Sequence, residues 1–305
     1  MSSTVKKGKF LFGCDPEFFA TYVSQDGRLC AMPPVAFRTN LGMCAEENGR
    51  HPIFLQQGQA IVHEDGAAFE VSVPPQNDWR TLWNSVNQIT AAFAELLSPF
   101  SSFCSPELKA LPTVGWDVDR WLHEGDEFAM ATTFGCDPDM DAYNTEKKCQ
   151  VIDARKHPYR YGGGHIHVSG LREIVDHPLI AVRSMVMTAG VASIAFSDVP
   201  DLEHERLFLY GKPGKFRVQK YGHAYQRKPH TAVGIEYRTP SNRWTQSIDL
   251  ATRIFTMVEA GLTAMLVYDK FDSISKELEQ DCVEAIRNTD QVLATQVVSR
   301  LESVL

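Results

Sequence analysis

The chain alternates short apolar runs, interrupted by charge at every second position, with longer stretches that are apolar at helical spacing. The sharpest alternation is Tyr161-Gly162-Gly163-Gly164-His165-Ile166-His167-Val168-Ser169-Gly170. Successive strand side chains point to opposite faces, so His165, His167 and Ser169 share one face while Ile166 and Val168 take the other. The three glycines suit a place where backbone or ligand must come close. Three further runs repeat the device. Gly13-Cys14-Asp15-Pro16-Glu17-Phe18-Phe19 sets Asp15 and Glu17 two apart, and Gly234-Ile235-Glu236-Tyr237-Arg238-Thr239-Pro240 does the same for Glu236 and Arg238. The run from Glu64 to Pro74 places Glu70 and Ser72 opposite Phe69, Val71 and Val73. Charge inside a strand is disfavoured unless compensated. The pattern therefore predicts a sheet whose concave face gathers cations and anions together.

The remaining patterning fills in the frame. Lys9 to Thr21 reads as the first strand, at an edge or bulged at Pro16, which has no ladder donor. Ala31 to Gly58 reads as loop or short hairpins, and Gln59 to Val73 returns to strand character. After the stop at Pro74-Pro75, Trp79, Leu82, Trp83, Val86, Ile89, Phe93 and Leu96 recur at helical spacing to about Leu97. A second helix starts at Asp176-His177-Pro178 and is almost wholly apolar to Phe196, so it is expected to be buried against the sheet. An amphipathic helix follows from Ser247 to about Tyr268, and Ile274 to Leu305 reads as two more with charged outer faces. Phe134-Gly135-Cys136-Asp137-Pro138-Asp139 echoes the Phe12 to Glu17 run as similar turn chemistry. Arg206 to Arg227 is basic and punctuated by glycine. It reads either as a solvated flap or as a grip for phosphate or carboxylate.

Composition narrows the class. A chain of 305 residues that is 44% hydrophobic can bury a full core as one large domain or two fused ones. The net charge of -8 argues against broad nucleic-acid binding, which leaves a basic footprint. The 7 cysteines contain no C-x-x-C pair and are odd in number, which reads as reduced thiols in a cytosolic compartment. No secretory leader pattern stands at the N-terminus, and no segment approaches the ~20 apolar residues of a membrane span. His51, His63, His123, His157, His177, His204, His223 and His230 are isolated, and most of them read as surface or cap residues. Trp79, Trp83 and Trp116 read as core, and Cys14 as a small buried hydrophobe rather than a nucleophile.

Together the strands offer Asp15, Glu17, Glu70, His165 and Glu236 as metal ligands, with His167, Arg238 and the basic stretch left to meet anions. A carboxylate-rich set with one imidazole suits Mg²⁺ or Mn²⁺ rather than a closed zinc site. Four carboxylates facing one another would repel unless divalent cations sat among them.

In order along the chain, Gly13-Cys14-Asp15-Pro16-Glu17, Asp65-Gly66-x-x-x-Glu70, Gly163-Gly164-His165-Ile166-His167-Val168, Tyr210-Gly211-x-x-Gly214-x-x-Arg217 and Gly234-Ile235-Glu236-Tyr237-Arg238-Thr239-Pro240-Ser241 resemble the phage-type carboxylate–amine ligases of the glutamine synthetase and glutamate–cysteine ligase superfamily. The resemblance spans residues 9–243 of a single domain, 1–305, and leaves the helical segment 247–305 without a motif. It implies an α+β, glutamine synthetase-like fold in which an antiparallel sheet cups ATP and Mg²⁺, with Mn²⁺ as the alternative ion, and helices pack on the outer face. It implies ATP-dependent amide formation through an acyl phosphate. By position, Asp15, His165 and Glu236 would hold the ion near the γ-phosphate, and Glu17 and Glu70 the ion on the acceptor side. His167 would lie by the nucleotide phosphates, Arg238 would stabilise the transferred phosphoryl, and Arg206, Lys212 and Arg217 would grip phosphate or substrate carboxylate. Glu70 or Asp65 would take the proton from the attacking amine. Asp15-Pro16-Glu17 stands where the synthetases have Glu-x-Glu, which leaves open which ion each carboxylate touches. The expected partners are small-molecule or peptide carboxylates and amines, with no nucleic acid and no membrane, in a cytoplasmic setting (the host's, if viral). Homo-oligomerisation stays open. The competing readings are a zinc hydrolase built on His165, His167 and Glu236, a phosphotransferase on the same sheet, and a non-catalytic protein that keeps the scaffold.

Overall fold

The computed structural model describes residues 10–38, 41, 53–105, 107–121, 128, 130–134, 140–144, 152–221 and 231–305. The chain opens with β1 (Leu11–Cys14), β2 (Glu17–Phe18), β3 (Ala20–Val23) and β4 (Leu29–Met32). The meander β5 (Ile53–Gln57), β6 (Ala60–Asp65) and β7 (Ala68–Gln76) leads into α1 (Trp79–Leu97). Then come β8 (Thr113–Gly115), α2 (Val118–Trp121), β9 (Thr133–Phe134), β10 (Met140–Asp141), β11 (Ile152–Asp153), β12 (Tyr159–Tyr161) and β13 (Ile166–Ser169). The helices α3 (Arg172–Asp176), α4 (Pro178–Met185), α5 (Val191–Ala195) and α6 (Pro200–Arg206) precede the hairpin of β14 (Lys215–Tyr221) and β15 (Thr231–Tyr237). The chain closes with α7 (Ile248–Leu262), α8 (Lys276–Asn288) and α9 (Gln291–Glu302).

The main sheet runs β10-β14-β15-β13-β1-β7-β6-β5, with β2 also on β7, and its pairings are antiparallel. The fold is thus mixed α and β around a large antiparallel sheet. A smaller sheet, β12-β8-β4-β3, and the pair β11-β9 lie beside it. One apolar core joins Phe12, Ile166, Val168, Ile235, Tyr237 and Phe216 of the sheet to Leu82 and Phe93 of α1, Phe255 and Val258 of α7, and Ile286 and Leu301 of the last two helices. The motif-bearing sheet and the C-terminal helices therefore share a single interior.

Alpha1 shows how local sequence builds this layer. Asp78 caps its start by accepting from the Arg80 and Thr81 amides, and the buried Trp79, Leu82, Val86, Ile89, Phe93 and Leu97 form one stripe. Phe93 then meets Phe69 of β7, ring centroids 4.8 Å apart. The second apolar helix is continuous from α4 through a π-helical turn at Val186–Gly190 into α5, and α7 likewise continues into a π-helical turn at Thr263–Val267.

Several expectations need correction. Of the two alternatives at Pro16 the interruption holds and the edge does not: β1 lies between β13 and β7, and Pro16 sits in the break before β2, where its carbonyl accepts the Val71 amide at 2.9 Å. The strand character expected from Gln59 to Val73 is the hairpin β6–β7, turned at Gly66 with φ 57. Part of the basic stretch is ordered structure, since Arg206 ends α6 and Lys215 to Tyr221 form β14. Its last residues, 222–227, and positions 135–139 of the short echo lie outside the described residues. Contrary to expectation, Pro178–Ala195 and Ile248–Val267 are long and apolar enough to cross a membrane by length and composition. Here 67% and 56% of these stretches are buried inside the protein. Helices sandwiched between a sheet and further helices are apolar on more than one side.

Candidate metal and phosphoryl-transfer site

Strand register converts the alternating sequence into two polar rungs. On the first, Gly13 of β1 pairs with His167, His167 with Glu236, and Glu236 with Arg217. The neighbouring rung, Cys14, Ile166, Tyr237 and Phe216, is buried against the helices. Side chains one residue apart point to opposite faces, so His167, Glu236 and Arg217 lie on the side away from the core. On the second rung, Glu17 pairs with Glu70 and Glu70 with His63. Like charges directly opposite are destabilising in an antiparallel pair. Something else must balance Glu17 against Glu70.

The break at Asp15-Pro16 divides the first dyad between two groups. Asp15, His165 and Glu236 offer ligand atoms that lie within 4.8 Å of one another, and so do Glu17, Asp65 and Glu70. In the first group His165 Nδ1 is 3.1 Å from Asp15 Oδ1 and 3.6 Å from Glu236 Oε1. His167 Nε2 is 3.2 Å from the same Asp15 oxygen. Asp15 Oδ1 and His167 Nε2 are nevertheless buried with no hydrogen bond of good geometry. Such atoms fit a ligand better than a finished internal network. Glu236 also meets the Arg238 guanidinium, accepts from Gln219 Nε2 at 2.7 Å and lies 3.8 Å from Arg217.

The glycines make room for this arrangement. The Gly163 amide donates to Glu17 Oε2 at 2.9 Å, and the Glu17 amide donates back to the Gly163 carbonyl at 2.8 Å. A Cβ on Gly163 would stand 2.5 Å from His165 Nε2 and 3.1 Å from Glu17 Oε1. One on Gly164 would stand 2.2 Å from the Ser241 carbonyl oxygen. Here close approach, not a positive φ, requires glycine.

Electrostatics differ between the groups. Burial tends to raise Asp15, but the imidazoles of His167 and His165 hold it well below the usual carboxylate range. Burial depresses His167, yet Asp15 more than offsets it and brings the imidazole to about 9. Burial, followed by the charges of Asp15, Asp65, Glu17 and Glu236, pushes Glu70 well above its ordinary value. Burial and Asp65 raise Glu17 as well. The second group thus lacks positive charge. Three carboxylates with no imidazole form an oxygen set for a hard cation such as Mg²⁺ or Mn²⁺, and Asp15, His165 and Glu236 are acceptable to the same ions.

A pocket opens beside Glu17, Asp65 and His165, with Arg160, Arg206 and Arg238 and the rings of Phe134, Tyr161 and Tyr210 in its walls. Arg206 is buried, donates to the Thr239 carbonyl at 2.7 Å and has no hydrogen bond on Nε. Lys212 is placed otherwise: its side chain is exposed, it is not among the pocket residues, and its carbonyl accepts from Thr239 Oγ1 at 2.8 Å. His167 lies against Asp15, and Asp65 stands with Glu17 and Glu70 at ion-binding spacing.

Two residues at the site escape the sequence reading. His63, taken as an isolated histidine, is buried with Nε2 3.1 Å from Glu70 Oε1. Arg160 is buried in the pocket wall, 3.8 Å from the Trp116 ring centroid, and donates to the carbonyls of Ala131, Ala154, His157 and Tyr159. The signal for His63 is the same spacing rule, in His63-x-Asp65, whereas Arg160 has Pro158 and Gly162 two places away and gives no such signal. His157 is half-buried: its ring packs on Phe134 and Phe208, and Nε2 lies 2.8 Å from the Tyr161 hydroxyl. Cys14, Cys30, Cys104 and Cys282 are buried free thiols, and burial pushes Cys14 well above its ordinary value.

No family model matches the chain, and no curated protein does.

Proposed function

We propose that the protein is an ATP- and Mg²⁺-dependent carboxylate–amine ligase. The observation that carries this reading is the pair of ligand groups, Asp15-His165-Glu236 and Glu17-Asp65-Glu70, built on adjoining strands beside an arginine-lined pocket. The order of motifs that resembles carboxylate–amine ligases supports it, as does the like-charge pair Glu17–Glu70. Bound divalent ions would neutralise charge on the nucleotide phosphates and on the transferring phosphoryl.

The residues' own roles follow from their places. Arg238 is tethered to Glu236 and lines the pocket, where its guanidinium can meet equatorial phosphoryl oxygens as charge spreads over them. Arg206 carries a buried N–H directed to no protein acceptor, which suits an anionic oxygen of the substrate. A carboxylate is a poor electrophile, and phosphorylation turns one of its oxygens into a leaving group that an amine can displace. Glu17 and Asp65 both line the pocket and can accept the amine's proton. The His165–Asp15–His167 cluster is the feature a zinc hydrolase would share, but the all-carboxylate second group is not a zinc set.

The test is ADP release from ATP and Mg²⁺ with pooled amino acids, with hydroxylamine present to trap an acyl phosphate. Hydroxamate formation is expected. Glu236→Ala and His165→Ala are expected to abolish Mg²⁺-dependent turnover while retaining the wild-type circular dichroism. Full turnover in either variant, or ADP release with no trapped acyl group, refutes the assignment.

A further inference from the structure

The geometry points to His63 as the positioning residue that fixes how Glu70 presents itself to a cation and thereby sets the ion preference of the Glu17-Asp65-Glu70 group. This rests on the proposed metal-dependent ligase. His63 of β6 is the direct cross-strand partner of Glu70 of β7, with its Nε2 3.1 Å from Glu70 Oε1. On the same strand as Glu70, the Ser72 hydroxyl donates to that same oxygen at 3.3 Å. With the Ser72 hydroxyl donating to it and the His63 ring nitrogen in contact with it, Oε1 is the occupied oxygen, and Oε2 is left to face an ion. Glu70 is thereby held as a one-oxygen ligand.

The consequence is selectivity. Mg²⁺ demands near-octahedral geometry with one oxygen per carboxylate, whereas Ca²⁺ accepts more ligands and takes carboxylates by both oxygens. Glu17 is restrained in the same way, since its Oε2 accepts the Gly163 amide. Two of the three carboxylates are thus each tied through one oxygen before any ion arrives.

The test uses the full chain and Mn²⁺, followed by electron paramagnetic resonance, with Mg²⁺ and Ca²⁺ as competitors. His63→Leu keeps approximate volume and removes the donor, and His63→Gln keeps a donor. In His63→Leu, Mn²⁺ affinity at one of two sites is expected to fall ~10–100-fold, the range for lost outer partners of metal ligands. Ca²⁺ should gain on Mg²⁺ as the competitor, while the other site, at Asp15, His165 and Glu236, stays unchanged. His63→Gln should restore most of the Mg²⁺ preference, which a merely structural role would not explain. Unchanged affinities and an unchanged Mg²⁺ to Ca²⁺ ratio in a folded His63→Leu protein overturn the inference. Should that variant not fold, Ser72→Ala removes the second donor and should shift the ratio the same way; no shift there also overturns it. Wild-type protein that binds no Mn²⁺ overturns the metal reading itself, a distinct outcome.

Discussion

Substituting Gly163 by alanine separates the site from the fold with a single methyl group. The new Cβ would stand 2.5 Å from His165 Nε2, where ordinary contact begins at 3.4 Å. The imidazole must therefore retreat by most of an ångström. His165 has little slack, since its other ring nitrogen already stands 3.1 Å from Asp15 and 3.6 Å from Glu236. The same methyl presses at 3.1 Å on Glu17 Oε1, so both ligand groups are disturbed by one change. A misplacement of about 1 Å in a reacting constellation can cost on the order of 10²-fold in rate. Gly163→Ala is expected to lose about that factor in Mg²⁺-dependent ADP release and to weaken Mn²⁺ binding. The fold should survive, because the atoms met are side-chain ends. Gly164→Ala is the counterpart: its Cβ would meet the Ser241 backbone at 2.2 Å, which cannot yield by rotamer change. Destabilisation of about 1–3 kcal/mol or more is expected there by denaturant titration. Gly163→Ala with turnover within threefold of wild type, or Gly164→Ala with wild-type stability, would refute this account of the glycines.

Further outcomes follow from the interior. Arg38 reaches Glu64 with three contacts of 2.7–3.0 Å, and Glu64 is fully buried; Arg38→Ala removes that guanidinium and should cost about 3 kcal/mol in urea unfolding. A cost below about 1 kcal/mol would show that Glu64 is otherwise compensated. Burial, and then Arg160, depress the affinity of His157 for a proton below the ordinary 6.5. Below that pH the unfolded chain takes up a proton before the folded one does, so this group contributes stability that is lost on acidification. His157→Phe should therefore show a smaller fall in stability between pH 7 and pH 5 than wild type, and an equal fall would contradict the assignment.

Much of the frame was legible in the sequence because two periodicities carry it. The stripe from Trp79 to Leu97 and the apolar run after Pro178 could only be satisfied by helices packed on a sheet, and both are present. The charged positions of the sheet were readable for the same reason: a polar residue two places from another in an apolar run must share its face. That rule was applied to Asp15, Glu17, Glu70, His165, Glu236 and Arg238, which stand together. Applied equally to His63, two places from Asp65, it would have exposed that residue; Arg160, with Pro158 and Gly162 two places away, carries no such signal. Pairing was not legible. Nothing local says that Glu70 lies between Glu17 and His63, since register is fixed by contacts far apart in sequence. The basic run from Arg206 stayed open between flap and grip because composition does not tell a loop from a strand, and only part of it is strand.

The interruption at Asp15-Pro16 has a mechanical consequence. Cys14 and Glu17 both pair with β7, at Val73 and Glu70, and Cys14 also pairs with Ile166 of β13, so the two residues between them are a short bridge from one cluster of ligands to the other. A stiff proline in so brief a connection transmits displacement rather than absorbing it. Any shift of the first strand along its neighbour would move Asp15 and Glu17 as a unit. The two clusters are in effect yoked, and tuning either one alone calls for changes on the opposing strands.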